Sequence, residues 1–279
     1  MKKPIQWLIW PMVLVFAGIV CAGDLTDRSF EKLMDLSGLN QQMVEIPGMI
    51  VAGIGQARKQ GPPISDKEFE EMQGVIKGAF QSSEILKTIG KEIKNNLSES
   101  EVKELLVWYE SDLGIMITKS EKEASTPFAY QEMFRDAGML LADEKRVTIA
   151  KKIDKLVNST DMALQLQNNT GIAIFSAIST VMNPGQPTNL DVFKAQMAAQ
   201  ENQMRAEMEQ IIILSSVYSY QNIEIDQMEK YIQFLERPHT IKFNNSVIKG
   251  MKTALNRSID KLATSLAVVF KKNAGKIDK

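Results

Sequence analysis

Residues 247–269, VIKGMKTALNRSIDKLATSLAVV, decide the fold. Ile248, Met251, Leu255, Ile259, Leu262, Leu266 and Val269 follow one another at steps of three or four, which gathers them on one face of an α-helix. A second stripe, Phe193, Met197, Met204, Met208, Ile211 and Tyr218, keeps the same period with Gln200 interrupting it. Ser98-x-x-Glu101 and Ser65-x-x-Glu68 read as capping boxes, in which side chains satisfy backbone N–H groups that a helix start leaves open. Thr126-Pro127 reads as an N-cap followed by proline at the first helical position. Gly61-Pro62-Pro63 and residues 183–187 (NPGQP) are turns between helices. With no alternating β pattern bounded by hairpin turns, the expectation is an all-α protein.

Self-comparison adds a second level of organisation. Lys32-Leu33 repeats as Lys155-Leu156 and Gly48 as Gly171, both 123 positions on. Pro63 and Phe69 recur as Pro187 and Phe193, 124 positions on. The stretch LLVWYE at 105–110 lies against YIQFLE at 231–236, 126 positions on. The order is kept while the shift drifts by loop-sized steps, so two tandem multi-helix domains related by internal duplication are expected, residues 24–145 and 146–279. The period is far too long for a solenoid.

Ahead of both, residues 1–23 have the parts of a secretory signal peptide: Lys2 and Lys3, an apolar run from Ile5 to Ala22, then a small-residue exit. The alternative is an uncleaved inner-membrane anchor, since about 18 apolar residues is near the minimum for a bilayer span. Bulky Ile19 and Val20 before Cys21 speak against a lipoprotein site. The expected location is the periplasm.

The 279 residues carry 33 basic and 34 acidic side chains, a net charge of −1, which argues against a nucleic-acid partner. The two domains differ, with 14 basic and 22 acidic residues in 24–145 against 17 and 12 in 146–279. The first reading of these net charges, −8 and +5, is drift on two solvated surfaces; the alternative is that opposite potentials favour docking of the halves on each other or a head-to-tail pair of chains.

One Cys and one His leave almost no Cys/His metal site or nucleophilic pair. His239 follows Pro238 and reads as a surface or capping residue at a helix boundary. Glu101/Glu104 and Glu201/Glu207 read as solvated helix faces, although a carboxylate- and metal-dependent hydrolase would have to use such groups. Gly48, Gly53 and Gly55 form a small-residue helix face, with Pro47 at a start or kink. Met197, Met204 and Met208 read as core filling; a hydrophobic or partner groove and Cu(I) ligation are the alternatives. From Lys249 to Lys279 eight basic residues stand against only Asp260 and Asp278, which reads as a solvated helix face with a frayed tail from Lys271; peripheral contact with an anionic membrane surface is the alternative. Five Asn-x-Ser/Thr triplets, beginning at Asn96, Asn158, Asn168, Asn244 and Asn256, are incidental in a bacterial-style exported chain.

Residues 97–114, LSESEVKELLVWYESDLG, resemble a helical domain of bacterial exported proteins catalogued as domain of unknown function 2059. Residues 33–39, LMDLSGL, are similar to its opening helix and glycine stop. The resemblance covers about 28–140 and weakens in the second copy, where Arg237-Pro238-His239-Thr240 stands for Ser111-Asp112-Leu113-Gly114. It implies export and an all-helical fold, and it supplies no catalytic residue or cofactor. From the residues themselves, 108–114 read as a helix–helix corner in which Ser111 caps the next helix and Gly114 permits close approach. Trp108, Tyr109, Glu110, Ser111 and Gly114 are the candidate interaction surface of a non-enzymatic protein. Its partner is a protein, or else a hydrophobic ligand carried between helices.

Overall fold

A computed structural model describes residues 26–58, 66–182 and 190–277. The expected signal segment and the loops at 61–63 and 183–187 lie outside the described residues, as does Ser65. Among the described residues every regular element is an α-helix. In chain order these are α1 (Asp27–Leu36), α2 (Leu39–Arg58), α3 (Asp66–Ala79), α4 (Ser82–Asn96), α5 (Glu99–Tyr109), α6 (Asp112–Ala124) and α7 (Pro127–Arg135). Then come α8 (Ala137–Leu140), α9 (Glu144–Val157), α10 (Ser159–Met182), α11 (Leu190–Ser219), α12 (Ile225–Leu235) and α13 (Pro238–Ile277). None of these helices is long and apolar enough to cross a membrane.

Local chemistry sets the helix starts. Ser98 and Glu101 form the expected capping box, with the Glu101 carboxylate accepting from the Ser98 N–H at 2.8 Å and Ser98 Oγ accepting from the Glu101 N–H at 3.4 Å. Thr126 Oγ1 accepts from the Ala129 N–H at 3.2 Å, and Pro127 takes the first turn of α7, where no N–H is needed. Of the two places expected for Pro47, a helix start or a kink, the structure excludes the start, since it lies well inside α2. Its ring leaves the carbonyl of Met43 without an i→i−4 donor.

The stripe read from 248–269 is the backbone of the core. α13 packs between α4 and α10 and extends along α3, burying Leu255, Leu262 and Leu266 against Ile85, Ile89 and Phe80 in one continuous cluster. Gly250 makes this approach possible, since a Cβ there would lie 2.6 Å from the Cα of Ile89. The cluster draws on residues before and after 145 alike, from Leu33 to Leu266. A smaller cluster pins α7 and α8 to α9 and α11 through Met133, Leu140, Ala150, Ile213, Leu214 and Val217. The N-terminal part of the α11 stripe faces α10. Phe193 stacks on Phe175 with ring centroids 4.1 Å apart, and a Cβ on Gly171 would lie 3.8 Å from Met197 Cε.

Candidate functional site

The conspicuous side-chain chemistry gathers where residues before 145 meet residues after it. Trp108, at the end of α5, lies flat on Phe234 of α12, with centroids 4.4 Å apart and planes 7° from parallel, and it also stacks on Tyr231 at 5.9 Å. Tyr109 meets Phe234 and Phe243 edge-on. Beside this aromatic layer, Glu121 Oε1 on α6 accepts two phenol hydrogen bonds, from Tyr220 Oη at 2.6 Å and from Tyr231 Oη at 3.1 Å. Burial raises the Glu121 carboxyl above its ordinary pKa, and the two phenol donors pull the other way. Burial, reinforced by the Glu121 charge, also pushes the Tyr109, Tyr220 and Tyr231 phenols up, so all three stay protonated and Tyr220 and Tyr231 keep donating to Glu121. The turn that carries Tyr220 is held by Arg146, whose Nη1 donates to the carbonyls of Tyr220 at 2.6 Å and Ile223 at 2.9 Å.

More polar contacts line the same seam. Lys242 bonds Glu101 at 2.7 Å, Lys249 bonds Glu92 at 3.0 Å, His239 Nδ1 contacts Glu104 Oε2 at 2.9 Å, and Tyr218 Oη donates to Glu132 Oε2 at 3.1 Å. In each the acid belongs to the first half and its partner to the second. Lys242–Glu101 and Lys249–Glu92 thus match two of the first half's acids with two of the second half's bases within the chain. The fields of several glutamates also meet side chains that carry no full charge, which only the packing could reveal.

The five residues expected to form an interaction surface do mostly structural work at this seam. Trp108 and Gly114 are buried. Ser111 Oγ accepts from the Gly114 N–H at 3.1 Å and donates to the Trp108 carbonyl at 2.6 Å, so it caps α6 while closing α5. A Cβ at Gly114 would fall 2.1 Å from that carbonyl oxygen, so the corner as read from the sequence depends on glycine. Tyr109 is half-buried, and exposed Glu110 pairs with Lys32.

His239 differs from its expected surface place. Its side chain is only 13% exposed, held against α5, and its Nε2 is buried without a hydrogen-bond partner. Sequence reading passed over Glu121, Tyr220 and Tyr231. The signal for Glu121 was present: Gly114, Ile117 and Glu121 step by three and four along the inward face of α6, which puts a carboxylate where an apolar residue belongs.

Exposed apolar side chains are scattered over Val44, Val107, Val192, Ile241 and Val268 and are most numerous on the helices just after this corner. Ile115, Met116, Phe128, Tyr130, Phe134 and Met139, on α6–α8, are all exposed; Phe128 reaches 68% and Met139 69%. Tyr130 and Phe134 meet edge-on at 4.9 Å. Among the described residues no group of three His, Cys, Asp or Glu side chains is placed to hold a metal ion. Comparison with protein-family models, with curated proteins and with solved structures finds no match to this chain.

Proposed function

We propose that this chain is an exported, periplasmic helical binding protein that acts without covalent chemistry, built from two copies of one helical unit. The observation that carries the binding reading is the apolar surface on α6–α8, because a soluble domain seldom leaves neighbouring aromatic and methionine side chains open to water unless they meet a partner. Substituting Phe128, Phe134 and Met139 by Ser in the full chain, followed by crosslinking in cells, tests it. Partner capture should fall about tenfold, the effect of removing an apolar anchor, while the melting temperature stays unchanged. Capture as strong as in the parent chain would remove the reading. Export is supported by the signal-like residues 1–23 and by the resemblance of 97–114 to an exported domain; the mass of the chain recovered from periplasm tests it.

Several features support the duplication. A shift of 126 carries Glu99 and Tyr109, the bounds of α5, onto Ile225 and Leu235, the bounds of α12, and carries the start of α6 onto that of α13. A shift of 124 carries the start of α3 onto that of α11. Packing pairs repeat as well: α1 on α5 as α9 on α12, α2 on α3 as α10 on α11, and α4 on α13 as α11 on α6. Trp108 and Phe234, which stack on each other, are corresponding positions. An experimental structure in which the halves do not overlay would remove the duplication.

A hydrophobic ligand is the second reading. A trough of about 580 Å³ between α3 and α13 is lined by Gly74, Val75, Gly78, Ala79, Val268 and Val269 together with the polar Glu71, Lys261 and Ser265. Native mass spectrometry after gentle purification would reveal such cargo, and consistently empty spectra would count against it.

A further inference from the structure

We propose that residues 118–140, from the second half of α6 to the end of α8, form a flap latched to the rest of the chain by carboxylate–phenol hydrogen bonds, and that ionisation of Glu121 loosens it as pH rises. The seam is bonded in two ways. α4 and α5 meet α13 through acid–lysine pairs, Glu92 with Lys249 and Glu101 with Lys242. α6 and α7 instead meet uncharged phenols. Glu121 accepts from Tyr220 at 2.6 Å and from Tyr231 at 3.1 Å, and Glu132 accepts from Tyr218 at 3.1 Å. A lysine supplies the counter-charge an ionised acid needs in a packed seam; a phenol supplies a hydrogen bond alone.

Nothing around Glu121 makes up for that missing charge. It faces Tyr109 from α5, Tyr220 from the turn after α11 and Tyr231 from α12. Residues 210–219 of α11 carry no charged side chain. Arg146 of α9 reaches the same turn, but its guanidinium is bonded to the carbonyls of Tyr220 and Ile223 and to Asp143. On α6 itself Lys119, Lys122 and Glu123 are exposed, and Lys119 pairs with Glu123. On α7 Arg135 is held by Glu132 and Asp136. Among the described residues no Lys, Arg or His is bonded to Glu121.

The apolar anchorage of the flap is also separate. Ile117 is the last residue of α6 in the main cluster. Beyond it, Met133 and Leu140 pack with Ala150, Ile213, Leu214 and Val217 in the smaller cluster. A segment anchored by so few buried apolar side chains opens at a lower free energy than the core. Because burial raises the Glu121 carboxyl, docking of the flap is strongest below the unfolded carboxylate pKa and weakens as pH rises through the docked value. Exposed Phe128, Phe134 and Met139 ride on this flap, so its opening displaces the surface on which the binding reading rests. The opening itself does not depend on that reading.

Amide hydrogen exchange of the full chain, read by mass spectrometry from about pH 4 to about pH 9 and divided by the intrinsic rate at each pH, tests the latch. Protection of 118–140 should lie at least about tenfold below that of 250–266 in α13. It should fall by up to about tenfold per pH unit above about 4.3 and then level off. Glu121→Gln keeps an acceptor for the phenols but cannot ionise, so the fall should disappear. Equal protection of the two regions would mean that the flap opens only with the whole chain, and would overturn the proposal. So would protection of 118–140 that does not change with pH, or that falls equally in Glu121→Gln. If that variant fails to fold, Tyr231→Phe decides: it removes one of the two donors that pull the carboxyl down, so the fall should extend to higher pH, and an unmoved profile would overturn the latch. No partner is present in the exchange measurement, so failure of the latch and failure of the binding reading are told apart.

Discussion

The corner between α5 and α6 and the corner between α12 and α13 follow the same backbone path by different chemistry. In the first, the N–H groups of Glu110, Ser111 and Ile115 bond the carbonyls of Leu106, Trp108 and Ser111; in the second, those of Glu236, Arg237 and Ile241 bond Ile232, Phe234 and Arg237, all at 2.9–3.1 Å. The side chains differ. Ser111 caps the first corner and Gly114 lets α6 close on the Trp108 carbonyl. Pro238 opens the second at a position that needs no N–H, and buried Thr240 stands where Gly114 did. A Cβ could not fit 2.1 Å from a carbonyl oxygen, so α13 must stand farther from Phe234 than α6 does from Trp108. The comparison teaches that the path is set by main-chain hydrogen bonding, while the closeness of the helices is set by one side chain. Beyond the corners the two stretches differ. Thr126-Pro127 starts a new helix after α6, whereas α13 meets no further proline and runs on for 40 residues to join α3, α4 and α10.

The sharpest way to break the comparison is at the stacked pair. Trp108→Ala and Phe234→Ala should each cost about 4 kcal/mol in urea unfolding, the penalty for emptying a packed aromatic site. A loss below about 1 kcal/mol, the range of an ordinary surface substitution, would mean that Trp108 is a surface residue after all.

Gly114→Ala should cost about 3 kcal/mol because the corner must open, while Thr240→Ala should cost about 1 kcal/mol, since it removes a methyl group and a hydroxyl that has no hydrogen-bond partner. Equal losses would show that the two corners pack alike.

Glu121 contributes a pH signature opposite to that of Glu101. The carboxyl of Glu121 is raised in the folded chain, so its stabilising effect is complete below the unfolded carboxylate pKa and is lost as pH rises through the folded one. Glu121→Gln should abolish this part of the profile, seen as a flatter dependence of the urea midpoint on pH above about 4.3. Glu101 is lowered by Lys242 and Ser98 against the opposing effect of burial, so its contribution is present above the unfolded pKa and is lost as pH falls through the folded value. The smallest effect belongs to this pair. A double-mutant cycle on Glu101 and Lys242 should give about 0.5 kcal/mol, as a partly exposed ion pair does, and should shrink with salt. A coupling several times larger would mean that charge, more than apolar packing, holds the halves together.

Much of this was legible in the residues. The period of 248–269 announced the central helix, and Ser98-x-x-Glu101, Ser111 and Thr126-Pro127 announced helix starts, because capping is settled by neighbours a few positions apart. The acidic and basic halves were legible as sums. Which glutamate meets which partner was not, since Glu101 and Lys242 are 141 positions apart. Trp108 illustrates the same limit. Its sequence neighbours mark a helix end, but whether an aromatic ring there faces water or Phe234 depends on where α12 arrives.

Composition and periodicity alone determined an all-helical chain with its corners and its uneven charge, because helix formation and capping are local. Tertiary structure decided that α13 passes between α4 and α10, that Trp108 is interior, and that Glu121 shares its oxygen with two phenols. Those outcomes depend on close packing between distant segments, where a single Cβ or an unmatched carboxylate selects among arrangements that the local pattern leaves equally open.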